Sequence, residues 1–194
     1  MKVGVLALQG AVAEHIRSIE QAGATGVSVK RVEQLDELDG LIIPGGESTT
    51  IGKLMRKYDF IDAVRSFSEQ GKPIFGTCAG LIVLAKRIEG QDGAHLELMD
   101  MTVARNAFGR QRESFETDLP VQGIDEPIRA VFIRAPLITQ VGPEVDVLST
   151  FNGEIVTARQ GHLLAASYHP ELTDDVRLHE YFLGMIKESA VVER

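Results

Sequence analysis

The fold of this chain is decided by the stretch Pro73–Ala85, which reads PIFGTCAGLIVLA. Its first apolar residues predict a short strand, its last ones an apolar helix, and the glycines between them a sharp turn. The only cysteine, Cys78, lies in that turn, with Gly76 two residues before it and Gly80 two residues after it. Such a turn needs small flanking residues, because a side chain there would collide with the neighbouring backbone. The pattern is that of a nucleophile elbow built on cysteine.

The predicted position of Cys78 also favours a reactive thiol. The turn places the sulfur at the N-terminus of a helix, where the partial positive charge of the helix favours the thiolate. The alternative is a buried structural thiol, which is the usual setting of a single free cysteine. The glycines on both sides favour the nucleophile, although they do not exclude the structural thiol.

The segments before this stretch predict a doubly wound α/β fold. Val3–Leu8 is a continuous apolar run, as expected for a parallel strand that is covered on both faces. Apolar strands that alternate with amphipathic helices are typical of a three-layer α/β/α architecture around a mixed, mostly parallel sheet. The predicted strands of this half are residues 3–8, 26–32 and 40–43, and the predicted helices are residues 12–22, 48–58 and 60–70.

The second half of the chain changes character, with strand-like runs and turn signals between residues 96 and 166. Asn152 and Gly153 separate two of these runs and predict a β-hairpin. A final helix is predicted to begin near Thr173. Because no repeat, low-complexity segment or linker interrupts the sequence, we expect one domain over residues 1–194. The predicted buried stripe of the final helix consists of Leu178, Phe182, Met185 and Ile186.

Composition and charge limit the classes of function. Of the 194 residues, 44% are hydrophobic and 25% are charged, which matches a soluble globular protein. The 20 basic and 28 acidic residues give a net charge of −8, which argues against nucleic acid or an anionic membrane as the main partner. One cysteine excludes an internal disulfide, and no apolar run reaches the roughly 18 residues of a transmembrane helix. We therefore expect a cytoplasmic protein.

A cysteine nucleophile needs a base, and the sequence offers His169. This histidine follows the apolar strand at residues 163–168 and precedes Pro170 and Glu171. In an extended chain residues i and i+2 point the same way, so His169 and Glu171 can meet on one side. A carboxylate on the far ring nitrogen would fix the tautomer of the imidazole and stabilise its cation. The alternative is a structural histidine beside a surface glutamate.

The other four histidines show no comparable pattern. His15 and His179 lie on amphipathic helices, where surface or packing roles are the usual ones. His95 lies in a polar, loop-like stretch, and His162 follows a glycine at a turn. The chain has no cysteine pair, no HExxH segment and no pair of histidines at ligand spacing on a helix. The sequence therefore predicts neither a metal site nor a cofactor.

A glycine-rich loop, PGGEST at Pro44–Thr49, ends another apolar strand. Ligands of open α/β sheets bind outside the carboxyl ends of the strands, where this loop, the elbow and the candidate base would meet. The backbone N–H groups of Gly46 and Ala79 could stabilise a developing oxyanion there. Glu47 and Ser48 could hold a polar substrate head. The alternative is a glycine turn that caps the following helix, and the loop does not match the phosphate-binding pattern.

Several motifs together resemble a known family. Three motifs resemble those of the class I glutamine amidotransferases: GTCAG at residues 76–80, PGGEST at residues 44–49 and HPE at residues 169–171. Four further motifs resemble those of the glutaminase subunits of pyridoxal 5′-phosphate synthases: LQG at residues 8–10, ARNAFGRQ at 104–111, SFE at 114–116 and FIRAP at 132–136. This resemblance covers essentially the whole chain.

The resemblance implies hydrolysis of L-glutamine to L-glutamate and ammonia through a thioester. Cys78 would attack the side-chain amide, His169 would transfer the proton, and Glu171 would orient His169. Gly46 and Ala79 would supply the oxyanion N–H groups. The residues that match the family's glutamine-binding positions are Gly46, Glu47, Ser48, Arg105, Ile133 and Arg134.

The resemblance also implies a partner. Ammonia would pass to a separate synthase subunit of the PdxS type, which makes pyridoxal 5′-phosphate from a pentose phosphate and a triose phosphate in a large hetero-oligomeric complex. Gln9 matches a position that is coupled to partner-dependent activation, and we expect the helix within Gly10–Gly23 to form the docking face. Two alternatives stay open: a stand-alone cysteine hydrolase of the γ-glutamyl peptidase type, and a regulatory subunit without turnover.

Overall fold

The computed structural model describes residues 1–105, 108 and 114–192 of the chain. Twelve strands, five α-helices and two short 3-10 helices are formed by these residues. The strands are β1 (Lys2–Leu6), β2 (Thr25–Val29), β3 (Gly40–Ile43), β4 (Ile74–Thr77), β5 (Ala85–Ile88), β6 (Met99–Ala104), β7 (Ser114–Leu119), β8 (Ile128–Ile133), β9 (Leu137–Val141), β10 (Asp146–Phe151), β11 (Glu154–Gln160) and β12 (Leu163–Ala166). The α-helices are α1 (Val12–Gln21), α2 (Ser48–Lys57), α3 (Phe60–Glu69), α4 (Ala79–Leu84) and α5 (Arg177–Val192), and the 3-10 helices are Val32–Glu37 and Pro170–Leu172.

Ten of the strands form one mixed sheet, in the order β2-β1-β3-β4-β12-β11-β9-β6-β5, with β10 paired to β11. The half that contains β2, β1, β3, β4 and β12 is parallel throughout. Beyond β12 the pairing is antiparallel until β5 and β6, which are parallel again. Strands β7 and β8 form a separate antiparallel pair. The predicted mixed, mostly parallel sheet is confirmed.

Helices cover both faces of this sheet, because successive residues of a strand point to opposite sides. In β3, Leu41 and Ile43 belong to the hydrophobic cluster that also contains residues of α2 and α3. Ile42, between them, belongs to a second cluster with residues of α1 and α5. The predicted three-layer architecture follows from this alternation. None of the helices in the described ranges is long and apolar enough to cross a membrane.

The parallel strands deliver their carboxyl ends to one edge of the sheet. Ile43 at the end of β3 pairs with Gly76, and Ala166 at the end of β12 pairs with Thr77 at the end of β4. The glycine-rich loop after β3, the elbow after β4 and the segment that leads to His169 therefore begin side by side. This is the convergence that the sequence predicted.

The hairpin and the stripe of the last helix are confirmed. Asn152 and Gly153 connect β10 and β11 with φ values of 49° and 80°, and a type I′ turn requires positive φ at both positions. The four residues predicted to form the inner stripe of α5 are all buried. The single domain over residues 1–194 stays a prediction.

Several predicted boundaries were wrong. β1 ends at Leu6 instead of Leu8, and β12 ends at Ala166 instead of Tyr168. The second strand ends at Val29, because the Gln34 side chain accepts the backbone N–H groups of Lys30 and Arg31 at 2.7 and 2.9 Å and holds the start of the 3-10 helix Val32–Glu37. The last helix begins at Arg177 instead of near residue 173. Its first N–H is bound by the carboxylate of Asp175, at 3.1 Å, and this aspartate takes the place of the predicted cap.

Candidate active site

Cys78 occupies the sharp turn between β4 and α4. Its φ and ψ angles are 52° and −109°, an unusual conformation for a residue with a side chain. Its backbone N–H donates to the carbonyl of Ala166 at 2.8 Å, which ties the turn to the neighbouring strand. Strain of this kind persists only where the surrounding structure enforces it, and it is common at active sites. The predicted strand–turn–helix geometry is present.

The glycines on either side of Cys78 are required by close backbone contacts. A Cβ atom on Gly76 would collide with the carbonyl group of Gly80, and one on Gly80 would collide with the carbonyl oxygen of Ile43. Both obstacles are backbone, which does not move aside as a flexible side chain does. The sequence-based explanation of Gly76 and Gly80, that a side chain there would collide with the neighbouring backbone, is therefore confirmed.

The side chains of His169 and Glu171 are in contact, but the backbone between them does not have the predicted extended conformation. His169 Nδ1 lies 2.6 Å from Glu171 Oε1. The backbone between them is not extended, because Glu171 lies in the 3-10 helix Pro170–Leu172. Proline at the first position of that helix presets its φ angle. The turn buries the Glu171 side chain completely, whereas the His169 side chain keeps 13% of its surface exposed.

The side chains of Cys78 and His169 both lie beside Gly45. A Cβ atom on this glycine would be 2.8 Å from His169 Cε1 and 3.4 Å from Cys78 Cβ. The thiol also lies 3.8 Å from the carbonyl oxygen of Ile133. Burial lowers the pKa of His169, but hydrogen bonding with the Cys78 thiol and with Glu171 raises it more, to about 10. A protonated ring is therefore favoured at neutral pH.

A cavity of about 510 Å³ opens over the thiol and the ring. Its volume is in the range of small-molecule sites. All of the predicted oxyanion and substrate-binding residues line it, and sequence reasoning missed two further lining residues, Ile82 and Pro136. Both lie inside motifs that had already been singled out, the apolar helix and FIRAP. The predicted residues that line the cavity are Gly46, Glu47, Ser48, Cys78, Ala79, Arg105, Ile133, Arg134 and His169.

Glu47 serves as the N-cap of α2. Its carboxylate accepts the backbone N–H groups of Thr49 and Thr50 at 3.1 and 2.7 Å, and also the Thr50 hydroxyl at 2.7 Å. The hydroxyl bond is the largest cause that lowers the pKa of Glu47, to about 2. Glu47 therefore caps the following helix, and the residue also lines the cavity.

Gln9 does not line the cavity but holds the loop that does. Its side-chain Oε1 accepts the backbone N–H of Glu47 at 2.6 Å. A Cβ atom on Gly46 would lie 2.5 Å from the same oxygen, and the φ angle of Gly46 is 142°. The φ angle requires glycine at this position, and an added Cβ would also displace the Gln9 side chain from its contact. Gln9 links the end of β1 to the loop of the candidate oxyanion site.

Two arginines reach the cavity from different strands. Arg105 follows β6, and its guanidinium donates to the Thr49 hydroxyl at 3.2 Å and to the side chain of Gln91. Arg134 lies in the turn after β8 with a φ angle of 45°. Most of the ARNAFGRQ motif that continues from Arg105, namely Asn106, Ala107, Gly109, Arg110 and Gln111, lies outside the described residues.

Two histidines that were assigned surface or packing roles form a buried pair, and one of them, His15, lies beside Glu171. His15 and His179 are 0% and 1% exposed, so of the two predicted roles packing is correct and surface exposure is not. His15 Nδ1 lies 3.0 Å from His179 Nε2, and His15 Nε2 lies 3.5 Å from Glu171 Oε2. A signal for burial was present, because His15 precedes the core residue Ile19 by one helical turn.

Comparisons with known proteins agree on one family. The model of the SNO glutamine amidotransferase family matches residues 5–188. The pyridoxal 5′-phosphate synthase subunit PdxT of Niallia circulans is 78% identical over 189 residues, which are 97% of this chain and 100% of that protein. The subunit PdxT of Halalkalibacterium halodurans is 64% identical over 192 residues, 99% of this chain and 98% of that protein. A crystal structure of a glutamine amidotransferase matches with a TM-score of 0.91 and 50% identity, over 95% of this chain and 98% of that chain.

Proposed function

This chain belongs to the SNO glutamine amidotransferase family, and on that premise we propose that Cys78, His169 and Glu171 form its catalytic triad. The chain is the glutaminase subunit of a pyridoxal 5′-phosphate synthase: it hydrolyses L-glutamine and supplies the ammonia for vitamin B6 biosynthesis. The observation that carries the proposed triad is the 2.6 Å contact between His169 Nδ1 and Glu171 Oε1, behind a ring that shares its cavity with the thiol.

The first step is attack of Cys78 Sγ on the side-chain amide carbon of glutamine. Before this attack the thiol proton moves to His169 Nε2, and the carboxylate of Glu171 accepts the Nδ1–H of the resulting imidazolium. The raised pKa of His169, about 10, favours the imidazolium that this transfer produces. The negative charge moves to the amide oxygen as the S–C bond forms.

Two backbone N–H groups are aimed at that oxyanion in this proposal. Ala79 is the first residue of α4, so its N–H has no partner within the helix. Gly46 supplies the second N–H from the loop after β3. Fixed donors of this kind stabilise charge in the transition state without reorganisation of solvent, and loss of one costs about 10²–10³ in kcat in a well-studied protease.

The tetrahedral intermediate collapses when the C–N bond breaks. His169 Nε2–H donates its proton to the departing nitrogen, which leaves as ammonia, and Cys78 keeps the γ-glutamyl group as a thioester. Water then attacks the thioester carbon while His169 accepts a proton from it. The C–S bond breaks, L-glutamate is released, and the thiol is restored.

Charged residues that line the cavity are proposed to hold the α-carboxylate and α-ammonium groups of glutamine. Arg105 and Arg134 are suited to the α-carboxylate of glutamine, because a guanidinium can form two parallel hydrogen bonds with a carboxylate. Glu47 offers a negative charge for the α-ammonium group. Ser48 and the Ile133 segment complete the walls around the side chain.

Ammonia must reach the synthase without escape into water, where it would be protonated. We place the PdxS-type subunit, in a large hetero-oligomeric complex, against α1 and nearby loops. Gln9 is the proposed link between that face and the oxyanion site, because its side chain holds the N–H of Glu47 next to Gly46. Movement of this one side chain would release the loop.

Glutamate release, titrated with purified synthase subunit, tests the proposal. Low activity alone and saturable stimulation by the partner are the expected result. Full activity without the partner would indicate a stand-alone hydrolase, and no activity under any condition would indicate a regulatory subunit; either result would contradict the proposal. Cys78→Ala is the blank for contaminating glutaminases.

A further inference from the structure

Behind the proposed triad lies a buried polar cluster that the mechanism has not used. His15 on α1 lies beside Glu171, and its ring in turn contacts Thr77 at the end of β4 and His179 on α5. All three side chains are essentially inaccessible, with exposures of 0%, 0% and 1%. Polar groups this deeply buried are costly unless each finds a partner. Both ring nitrogens of His15 have a partner, whereas His179 Nδ1 has none within the described part of the chain.

The two oxygens of Glu171 have different surroundings. Oε1 receives the Nδ1–H of His169 at 2.6 Å. Oε2 is fully buried and makes no hydrogen bond of ordinary length within the described part of the chain. His15 Nε2 lies 3.5 Å from this oxygen and also 3.2 Å from the Thr77 hydroxyl. A small shift of the His15 ring would bring its nitrogen within hydrogen-bonding distance of Oε2.

The charge of Glu171 decides which nitrogen of His15 carries the proton. Burial, and to a smaller extent the neighbouring rings of His179 and His169, lower the pKa of His15 well below its usual 6.5, so the ring is neutral. A lone pair on Nε2 would repel the carboxylate, whereas an N–H attracts it. With the proton on Nε2, Nδ1 is an acceptor for His179 Nε2–H at 3.0 Å. Burial lowers the pKa of His179 to about 4, so this ring is neutral too.

We propose that His15 is a positioning residue of the triad: its Nε2–H, held by His179 on the other nitrogen, points at Glu171 Oε2 and keeps Oε1 aligned with His169. This inference rests on the proposed function of the triad. The buried chain runs from His179 through His15 and Glu171 to His169 at the cavity. Without the donor on Oε2, the carboxylate can rotate about its last bond, and His169 loses its orientation toward Cys78.

Two substitutions of similar size and polarity separate this role from packing. The amide nitrogen of glutamine reaches about as far as Nε2 of histidine, whereas that of asparagine reaches only about as far as Nδ1. His15→Gln can therefore keep a donor toward Glu171, and His15→Asn keeps only the contact with His179. His162→Asn is the matched control, since His162 is half-buried, bonds Ser68 at 2.8 Å and lies at the opposite end of β12.

Steady-state glutaminase kinetics with saturating synthase subunit give the readout. In His15→Asn, kcat falls about 10- to 100-fold, the range expected for loss of a hydrogen bond to a charged group. The KM for glutamine changes by less than about twofold, because His15 does not touch the cavity. His15→Gln and His162→Asn stay within about threefold of the wild-type kcat. Equal kcat values for His15→Asn and His15→Gln would overturn the inference.

Nitrogen NMR of the histidine rings gives a second readout that needs no variant. A neutral His15 with its proton on Nε2 supports the inference, and a proton on Nδ1 overturns it, even if His15→Asn fails to fold. Cys78→Ala, assayed in parallel, separates the two proposals. Turnover in Cys78→Ala would refute the triad itself, whereas an inactive Cys78→Ala beside a fully active His15→Asn would refute only the role of His15.

Discussion

At the scale of single residues, His169 and Glu171 differ in exposure, and this difference suits their proposed roles as base and orienter. The ring reaches the cavity, while the carboxylate behind it is shut off from water. A carboxylate in that position interacts strongly with the ring, because no solvent screens the pair. Together with the hydrogen bond to the Cys78 thiol, which is the larger cause, this interaction raises the pKa of His169.

The first prediction concerns the pH dependence of Glu171→Gln. The folded-state pKa of His169, about 10, lies above the ordinary 6.5, so the protonated ring stabilises the fold fully below pH 6.5. That stabilisation is lost as the pH rises through about 10. Glutamine in place of Glu171 removes the negative charge, so the alkaline limb of kcat/KM should move down by about one pH unit or more.

Profiles of kcat/KM between neutral and strongly alkaline pH, measured with synthase subunit present, check this shift. Glu69→Gln is the control, since Glu69 is an exposed residue at the end of α3. An alkaline limb at the same pH in Glu171→Gln and in the wild type would mean that Glu171 does not set the proton affinity of the base.

The residue scale also marks what the sequence could and could not predict. Residues two positions apart can be paired from the sequence, and the contact between His169 and Glu171 was predicted in this way. His15 lies 156 positions before Glu171, so no local pattern could connect the two. Its amphipathic setting indicated a buried face, but not that this face of α1 would lie against the end of β4 and the 3-10 helix Pro170–Leu172.

At the scale of elements, the elbow depends on close packing of α4 against β3 and β4. Every residue of α4 is buried, and its N-terminus is pressed against the end of β3 at Ile43. The helix therefore has no freedom to move outward and make room. Its position fixes the backbone N–H of Ala79 and the direction of the Cys78 side chain.

The second prediction is that Gly80→Ala destabilises the protein and disturbs the elbow. Its methyl group would collide with the Ile43 carbonyl, and overpacking of this kind costs about 1–3 kcal/mol of unfolding free energy. Gly184→Ala in α5 is the matched control, because nothing lies within 4 Å of the added Cβ. That change should stabilise by about 0.4–1 kcal/mol.

Urea denaturation of the two alanine variants measures both effects. Glutaminase activity with the synthase subunit should fall in Gly80→Ala and persist in Gly184→Ala. A Gly80→Ala protein as stable and active as the wild type would show that the elbow does not need the close approach of α4 to β3.

The sequence analysis did not predict β5, β7 or β9, and β7 illustrates a physical cause. β7 alternates exposed and inward positions and carries Ser114, Glu116 and Asp118 on its outer side, so it has no apolar run. Pairing with β8 is what makes it a strand. The start of α5 was misplaced because Thr173 and Asp175 are both good caps. Only the tertiary position of Arg177, whose guanidinium also donates to the carbonyls of Glu126 and Pro127, selects between them.

At the scale of the whole molecule, parallel strands collect the site at one edge, and α1 connects that edge to the surface. Arg17 on α1 is exposed, Glu14 is half-buried, and His15 on the inner side reaches Glu171. The sequence predicted the parallel sheet and its functional edge from apolar runs and motifs. It could not give the order of the antiparallel strands, which depends on long-range pairing.

The third prediction is that reversing charges on α1 weakens stimulation by the synthase subunit. The double variant Glu14→Lys with Arg17→Glu should need about two- to tenfold more partner for half-maximal activity, as expected for surface charge pairs. Glu69→Lys on α3, a helix packed on the opposite face of the sheet, is the matched control. Unchanged stimulation in the double variant would exclude α1 as the docking face.

The most direct test of the proposed chemistry is to trap the thioester. The complex with synthase subunit is mixed with glutamine, quenched in acid within the first turnover, digested and examined by mass spectrometry, with Cys78→Ala as the blank. A γ-glutamyl group on the peptide that contains Cys78, formed before free glutamate accumulates, is the expected result. Glutamate release by Cys78→Ala at the wild-type rate, or a γ-glutamyl group on another residue, would contradict it.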